Sequence, residues 1–77
     1  MRITKPGPNT TELDLNDGTS VFFSYKTPVA AYVLGRGFVK TSTKYSVTTS
    51  KHVNQWLDGR NHETVDQSEL DALVRSL

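Results

Sequence analysis

Cysteine is absent from this chain. That excludes disulfides and thiolate metal sites, and it fits an intracellular location, because small secreted domains lean on disulfides. Long hydrophobic runs are missing too. The longest apolar stretch, Val29 to Leu34, is far short of the ~20 residues that a membrane-spanning helix needs. Met1 to Pro8 lacks the apolar core that a secretory leader carries. The most telling absence concerns charge. Between Gly18 and Leu57 there is no Asp or Glu, yet Lys26, Arg36, Lys40, Lys44 and Lys51 all fall there. From Asp58 onward the balance reverses, with Asp58, Glu63, Asp66, Glu69 and Asp71 outnumbering Arg60 and Arg75. The formal net charge of +1 therefore conceals a cationic middle and an acidic end. Such segregation predicts one face suited to an acidic partner or a polyanion.

Seventy-seven residues make one domain. Residues 1–10, with Pro6, Gly7, Pro8 and Asn9, show no periodic pattern and read as a flexible N-terminal arm. Residues 11–77 then form a single α+β domain. A domain of this size buries only about 60% of its unfolded surface, so a staple is expected. With disulfides excluded and metal ligands scarce, self-association into a homodimer is the staple that remains, and the apolar segment Val21 to Leu34 is where it is expected.

Leu13 and Leu15 alternate with Glu12 and Asp14, the period of a half-buried strand. Asn16-Asp17-Gly18 is a hairpin turn signal, because Asp-Gly accommodates positive φ. Thr19 to Tyr25 reads as the return strand, with aromatics on both faces and hence a central place in the sheet. Pro28 predicts a kink at Lys26-Thr27-Pro28. Val29 to Leu34 and Phe38 to Ser42 supply two more strands, joined by a tight turn with Arg36 exposed at its tip. Thr48, Thr49 and Ser50 are three successive candidate N-caps for a helix from about Ser50 to Asp58, ended by Gly59. Asp66 and Glu69 have capping-box spacing before a second helix from about Gln67 to Ser76. Leu70, Leu73, Val74 and Leu77 form its apolar stripe. The expected architecture is a four-stranded antiparallel β-meander followed by two short C-terminal helices packed on one face.

Catalytic machinery is hard to assemble from this inventory. A nucleophilic Ser or Thr needs a base and an orienting acid, but the acid-free middle offers only His52 as a base. His52 and His62 are too few to hold a metal, since Gln55 and Trp56 stand where a helical second ligand would be. No enzyme, cofactor or metal is therefore expected. The start of the first helix is the best anion site: Thr48, Thr49, Ser50 and His52 lie beside free backbone N–H groups and Lys51.

Phe23-Ser24-Tyr25-Lys26-Thr27-Pro28-Val29-Ala30 resembles an F-S-Y-x-T-P-V-A block, and Lys44 to His52 with Trp56-Leu57 resembles a K-[WY]-S-x-T-T-S-[KR]-H-x-x-x-W-L block. Together they resemble a family of short uncharacterised proteins of tailed bacteriophages. The resemblance implies viral origin and action in the cytoplasm of an infected host cell. It implies no catalytic residue. The expected function is that of a small phage accessory protein that binds a host macromolecule, a host protein first of all, through Arg36, Lys40, Lys44 and Lys51. One alternative is a nucleic-acid-binding module using the same cations with exposed aromatics. Another is sequestration of a phosphate-bearing small ligand at Thr48–His52.

Overall fold

Side-chain alternation along the first strands decides which residues face each side of the sheet. The computed structural model describes residues 1–75. Its strands are β1 (Arg2–Thr4), β2 (Thr10–Asp14), β3 (Ser20–Ser24), β4 (Thr27–Val33), β5 (Gly37–Thr41) and β6 (His62–Val65). Helix α1 (Val47–Leu57) lies between β5 and β6, and α2 (Gln67–Arg75) ends the described chain. The strands form one sheet in sequence order. The first five are antiparallel, and β6 runs parallel to β5. The β5–α1–β6 segment is thus a β-α-β crossover, not the tail of a meander.

The sequence reading stands in its coarse form: the domain is α+β, with the four expected strands inside the sheet and two helices after the meander. Three details are corrected. The sheet is six-stranded and mixed. Arg2–Thr4 of the N-terminal segment pairs with Glu12–Asp14 as an edge strand. His62 and Glu63, read from sequence as inter-helix loop, belong to β6. That strand shows no hydrophobic alternation because only Val65 reaches a core.

The helices are corrected as well: they cover opposite faces and are not both packed on one. Adjacent strand residues point to opposite sides. Phe22, Val29 and Ala30 pack with Val53 and Leu57 of α1, with Phe38 and Trp56 against them. Ala31, Val39 and Val65 pack with Leu70 of α2. A helix can cover only one face of a sheet, and β3 to β5 carry apolar residues on both, so each face takes one helix. The stripe of α2 ends in the description at Leu73 and Val74, and Leu77 and the expected end at Ser76 lie outside the described residues.

Local chemistry fixes the turns. Gly18 takes φ 92° in the β2–β3 hairpin, which Leu15 N–H closes onto the Thr19 carbonyl at 2.8 Å. The bend foreseen at Lys26-Thr27-Pro28 begins one residue earlier, where Tyr25 adopts φ 58°. Pro28 lies inside β4, at a register shift that leaves Val29 as an extra, bulged residue. Its carbonyl accepts from Gln67 Nε2 at 2.7 Å, tying the start of α2 to the bulge.

Ser46 is the N-cap of α1: its hydroxyl accepts from Thr49 N–H at 3.1 Å. The helix therefore starts before Thr48, Thr49 and Ser50, which lie within its first turn. Asp58 then takes a left-handed conformation (φ 51°), and Gly59 follows at φ 76°. The expected Asp66–Glu69 capping box does not form as written. Asp66 accepts from the Ser68 hydroxyl, and Glu69 reaches Arg36. Among the described residues no helix is long and apolar enough to cross a membrane.

Candidate functional site

Helix α1 is the element on which most of the sequence-derived site residues converge. Thr49, Val53 and Leu57 are its buried line and hold it on the sheet. Its two flanks are thereby left to face different neighbours. On the β5 flank, Lys40 and Thr41 from the strand, Ser42, Thr43 and Lys44 from the following loop, and Thr49, Ser50 and Asn54 from the helix line a groove of about 400 Å³. No acid lines it. Lys51 stands beside this groove, in a shallow depression that shares Ser50 and Asn54 with it. Three of the four expected partner contacts, Lys40, Lys44 and Lys51, are thus gathered around the first half of α1.

Arg36 is not one of the group. Its guanidinium bonds Glu63 of β6 and Glu69 of α2, both at 3.4 Å. Its hydrogen bonds to Glu63 and then Glu69 push its pKa further up. The arginine is half exposed at its turn, but it serves as a brace between the β4–β5 turn, β6 and α2. Sequence reasoning could not see this, because it had placed Glu63 in a loop.

The four residues proposed for anion binding are divided by the fold. Thr48 is exposed, and Ser50 lines the cationic groove. The Thr49 hydroxyl is committed inward. It accepts from Ser46 Oγ at 3.2 Å and lies 3.1 Å from Ser24 Oγ, which in turn lies 2.9 Å from His52 Nδ1. His52 faces the opposite flank of the helix, where the Tyr25 ring tilts against it at 6.2 Å. A serine beside a histidine invites a catalytic reading, but Ser24 is 2% exposed and the chain of partners contains no carboxylate. The arrangement ties β3 to α1 and offers no accessible nucleophile.

On that second flank, Phe22, His52, Gln55 and Trp56 meet the Pro6-Gly7-Pro8 loop around a cleft of about 320 Å³. Trp56 is half-buried: it stacks on Phe22 at 5.2 Å and donates from Nε1 to Glu12 at 2.6 Å. Sequence reasoning missed this cleft. Its only signal was a proline pair in the N-terminal segment, and nothing local relates that pair to a helix some forty residues on. Among the described residues no group of three or more His, Cys, Asp or Glu side chains is placed to hold a metal ion.

A mixed sheet clasped between two helices, with one uncharged and one cationic recess flanking the same helix, defines a small α+β domain. The chain belongs to a family of unknown function (DUF8033), whose model matches residues 1–72. No curated protein and no solved structure matches it.

Proposed function

We propose that this protein is a non-enzymatic binding module of bacteriophage origin that docks an acidic segment of a host protein in the groove between β5 and α1. The carrying observation is the composition of that groove: Lys40 and Lys44 with hydroxyl and amide groups, no carboxylate, and Lys51 alongside. Carboxylates of a partner would find two ammonium groups and several donors that are already solvent-facing, so little desolvation is lost on docking. The acids are placed elsewhere. Glu63 and Glu69 are held by Arg36, which keeps their charge away from the groove.

A protein partner is favoured over nucleic acid by charge. The sequence pI is about 8.1, and dedicated nucleic-acid-binding domains usually exceed ~9. The acidic α2 side would also repel an extended polyanion. Binding would take place in the cytoplasm of the infected cell.

The test is capture of partners from host lysate by the wild-type protein and by the triple variant Lys40→Glu, Lys44→Glu, Lys51→Glu, with and without nuclease. The expected outcome is a nuclease-resistant complex that the triple variant loses. A complex destroyed by nuclease, with log affinity falling linearly in log salt at a slope near −0.9 per duplex phosphate contact, would replace the protein partner with nucleic acid. Capture unchanged by the triple reversal would remove the groove from consideration.

A further inference from the structure

The cleft on the other flank of α1 is built differently, and its hydrogen-bond arithmetic says what it can recognise. Ser46 donates its hydroxyl hydrogen to Thr49 Oγ1. Thr49 is largely buried, and Ser24 Oγ is the protein acceptor within reach of its own hydrogen. A buried hydroxyl left without an acceptor is costly, so Thr49 donates to Ser24. With that direction, Ser24 donates onward to Nδ1 of neutral His52 at 2.9 Å. An accepting Nδ1 places the proton of neutral His52 on Nε2. His52 lines the cleft with Nδ1 already engaged, so the ring nitrogen left to bond a ligand is Nε2, as an N–H donor.

The other walls are fixed before any ligand arrives. Thr10 Oγ1 accepts from Gly7 N–H at 2.8 Å and donates to the Gly7 carbonyl at 2.9 Å, clamping the loop that carries Pro6 and Pro8. Trp56 is held by Glu12 and stacked on Phe22. Gln55 is exposed on the rim. No charged side chain lines the cleft. Its volume of about 320 Å³ is at the small end of the ~300–1,000 Å³ range of ligand pockets.

We infer that this cleft binds a neutral, flat heterocycle bearing a carbonyl acceptor, with the carbonyl on His52 Nε2–H and the ring between Trp56 and the Pro6-Gly7-Pro8 loop. An anionic ring would be desolvated there without a counter-charge, beside the Glu12 carboxylate that holds Trp56. A ring without an acceptor would leave the histidine N–H unpaired. One or two fused rings fill the space, which suits an oxo-heterocycle or a carboxamide-substituted ring rather than a whole dinucleotide.

The test uses nicotinamide and uracil as probes, with nicotinate and toluene as the charged and acceptor-free counterparts, against the isotope-labelled full chain. The single tryptophan gives one indole N–H resonance, a direct reporter of the cleft. Saturable shifts at Trp56, His52 and Gln55 are expected with both probes at millimolar concentration, as befits ligands this small. Binding of nicotinate and of toluene should each be at least about tenfold weaker, nicotinate through desolvation of its charge and toluene through the loss of one hydrogen bond. Gln55→Phe fills the cleft from an exposed helix position without touching the hydroxyl chain, and it should abolish the shifts. His52→Phe should weaken both probes about tenfold. The Lys40→Glu, Lys44→Glu pair should leave binding intact, which separates this site from the cationic groove. Shifts that do not saturate, that persist in Gln55→Phe, or that toluene matches would overturn the inference. So would an imidazole nitrogen spectrum showing the proton of neutral His52 on Nδ1.

Discussion

Single hydroxyls and carboxylates decide more here than their neighbours of the same type. Ser46, Thr48, Thr49 and Ser50 look interchangeable as helix caps, yet Ser46 is the one whose side chain accepts from a backbone N–H. Ser46→Ala is expected to cost about 1 kcal/mol of stability, and Thr48→Ala close to nothing, in matched chemical denaturation. Ser24→Val should be worse, at roughly 1–3 kcal/mol, because it strands Thr49 and His52 together. Asp14 is the other residue with several partners. It accepts from Ser20 Oγ at 2.7 Å and from Arg2 Nη2 at 3.2 Å, joining β1, β2 and β3. The Ser20 hydroxyl, ahead of Arg2, holds its pKa below the ordinary 3.8. A depressed carboxylate stabilises the fold above its unfolded pKa and loses that contribution as pH falls through the folded one. The stability gap between wild type and Asp14→Ala, followed by thermal melts, is therefore expected to be constant near neutrality. It should close as pH drops below 3.8. A gap that survives to the lowest pH would assign the effect to packing.

Elements differ in how much each contributes. Leu70 is fully buried and is the centre of the α2 contact with Ala31, Val39 and Val65. Leu70→Ala is expected to cost about 2–5 kcal/mol, a large share of the ~5–15 kcal/mol that keeps a small domain folded. A cooperative transition unmoved by it would mean that α2 does not cover the core. The Arg36 brace is at the other extreme. All three of its side chains are substantially exposed, so Arg36→Ala should cost under about 1 kcal/mol. Because Arg36 is engaged with Glu63 and Glu69 and is remote from the groove lining, Arg36→Ala should leave partner capture at the wild-type level, in contrast to reversal at Lys40 and Lys44.

At the scale of the molecule, the sheet has two edges and they are not alike. β6 is short and polar, whereas β1 carries Ile3, 63% exposed, on an edge with no further strand among the described residues. The segment Val21 to Leu34, from which self-association was expected, is largely interior: Val21, Phe22, Val29, Ala30 and Ala31 are all buried. Leu34, 65% exposed, lies against Gly18. If the chain pairs with itself, the β1 edge is where the contact is expected, because an unpaired strand edge invites pairing. Ile3→Lys is expected to shift a dimer toward monomer in sedimentation at micromolar concentration. A dimer indifferent to both Ile3→Lys and Thr4→Pro would place the contact elsewhere.

The sequence by itself determined the elements whose signal is local. The two hairpin strands around Leu13 and Phe22, the Asp17-Gly18 turn and a second helix carrying Leu70, Leu73 and Val74 each depend on residues within a turn or a strand of one another, and each is found where that spacing puts it, although Leu15 falls just outside its strand. It also determined the cationic stretch, three of whose lysines meet around α1. Tertiary structure alone decided the rest. A strand such as β6, polar on three of its four residues, has no periodicity to read, and only pairing with β5 makes it a strand. Opposite-face packing of the helices follows from which sheet residues remain uncovered after the first helix docks, a question no single segment contains. The cleft beside Trp56 brings Gly7, Phe22 and His52 together from three parts of the chain, and the tautomer of His52 depends on hydroxyls from β3 and α1 at once. Those are long-range contacts, and long-range contacts exist only in the folded chain.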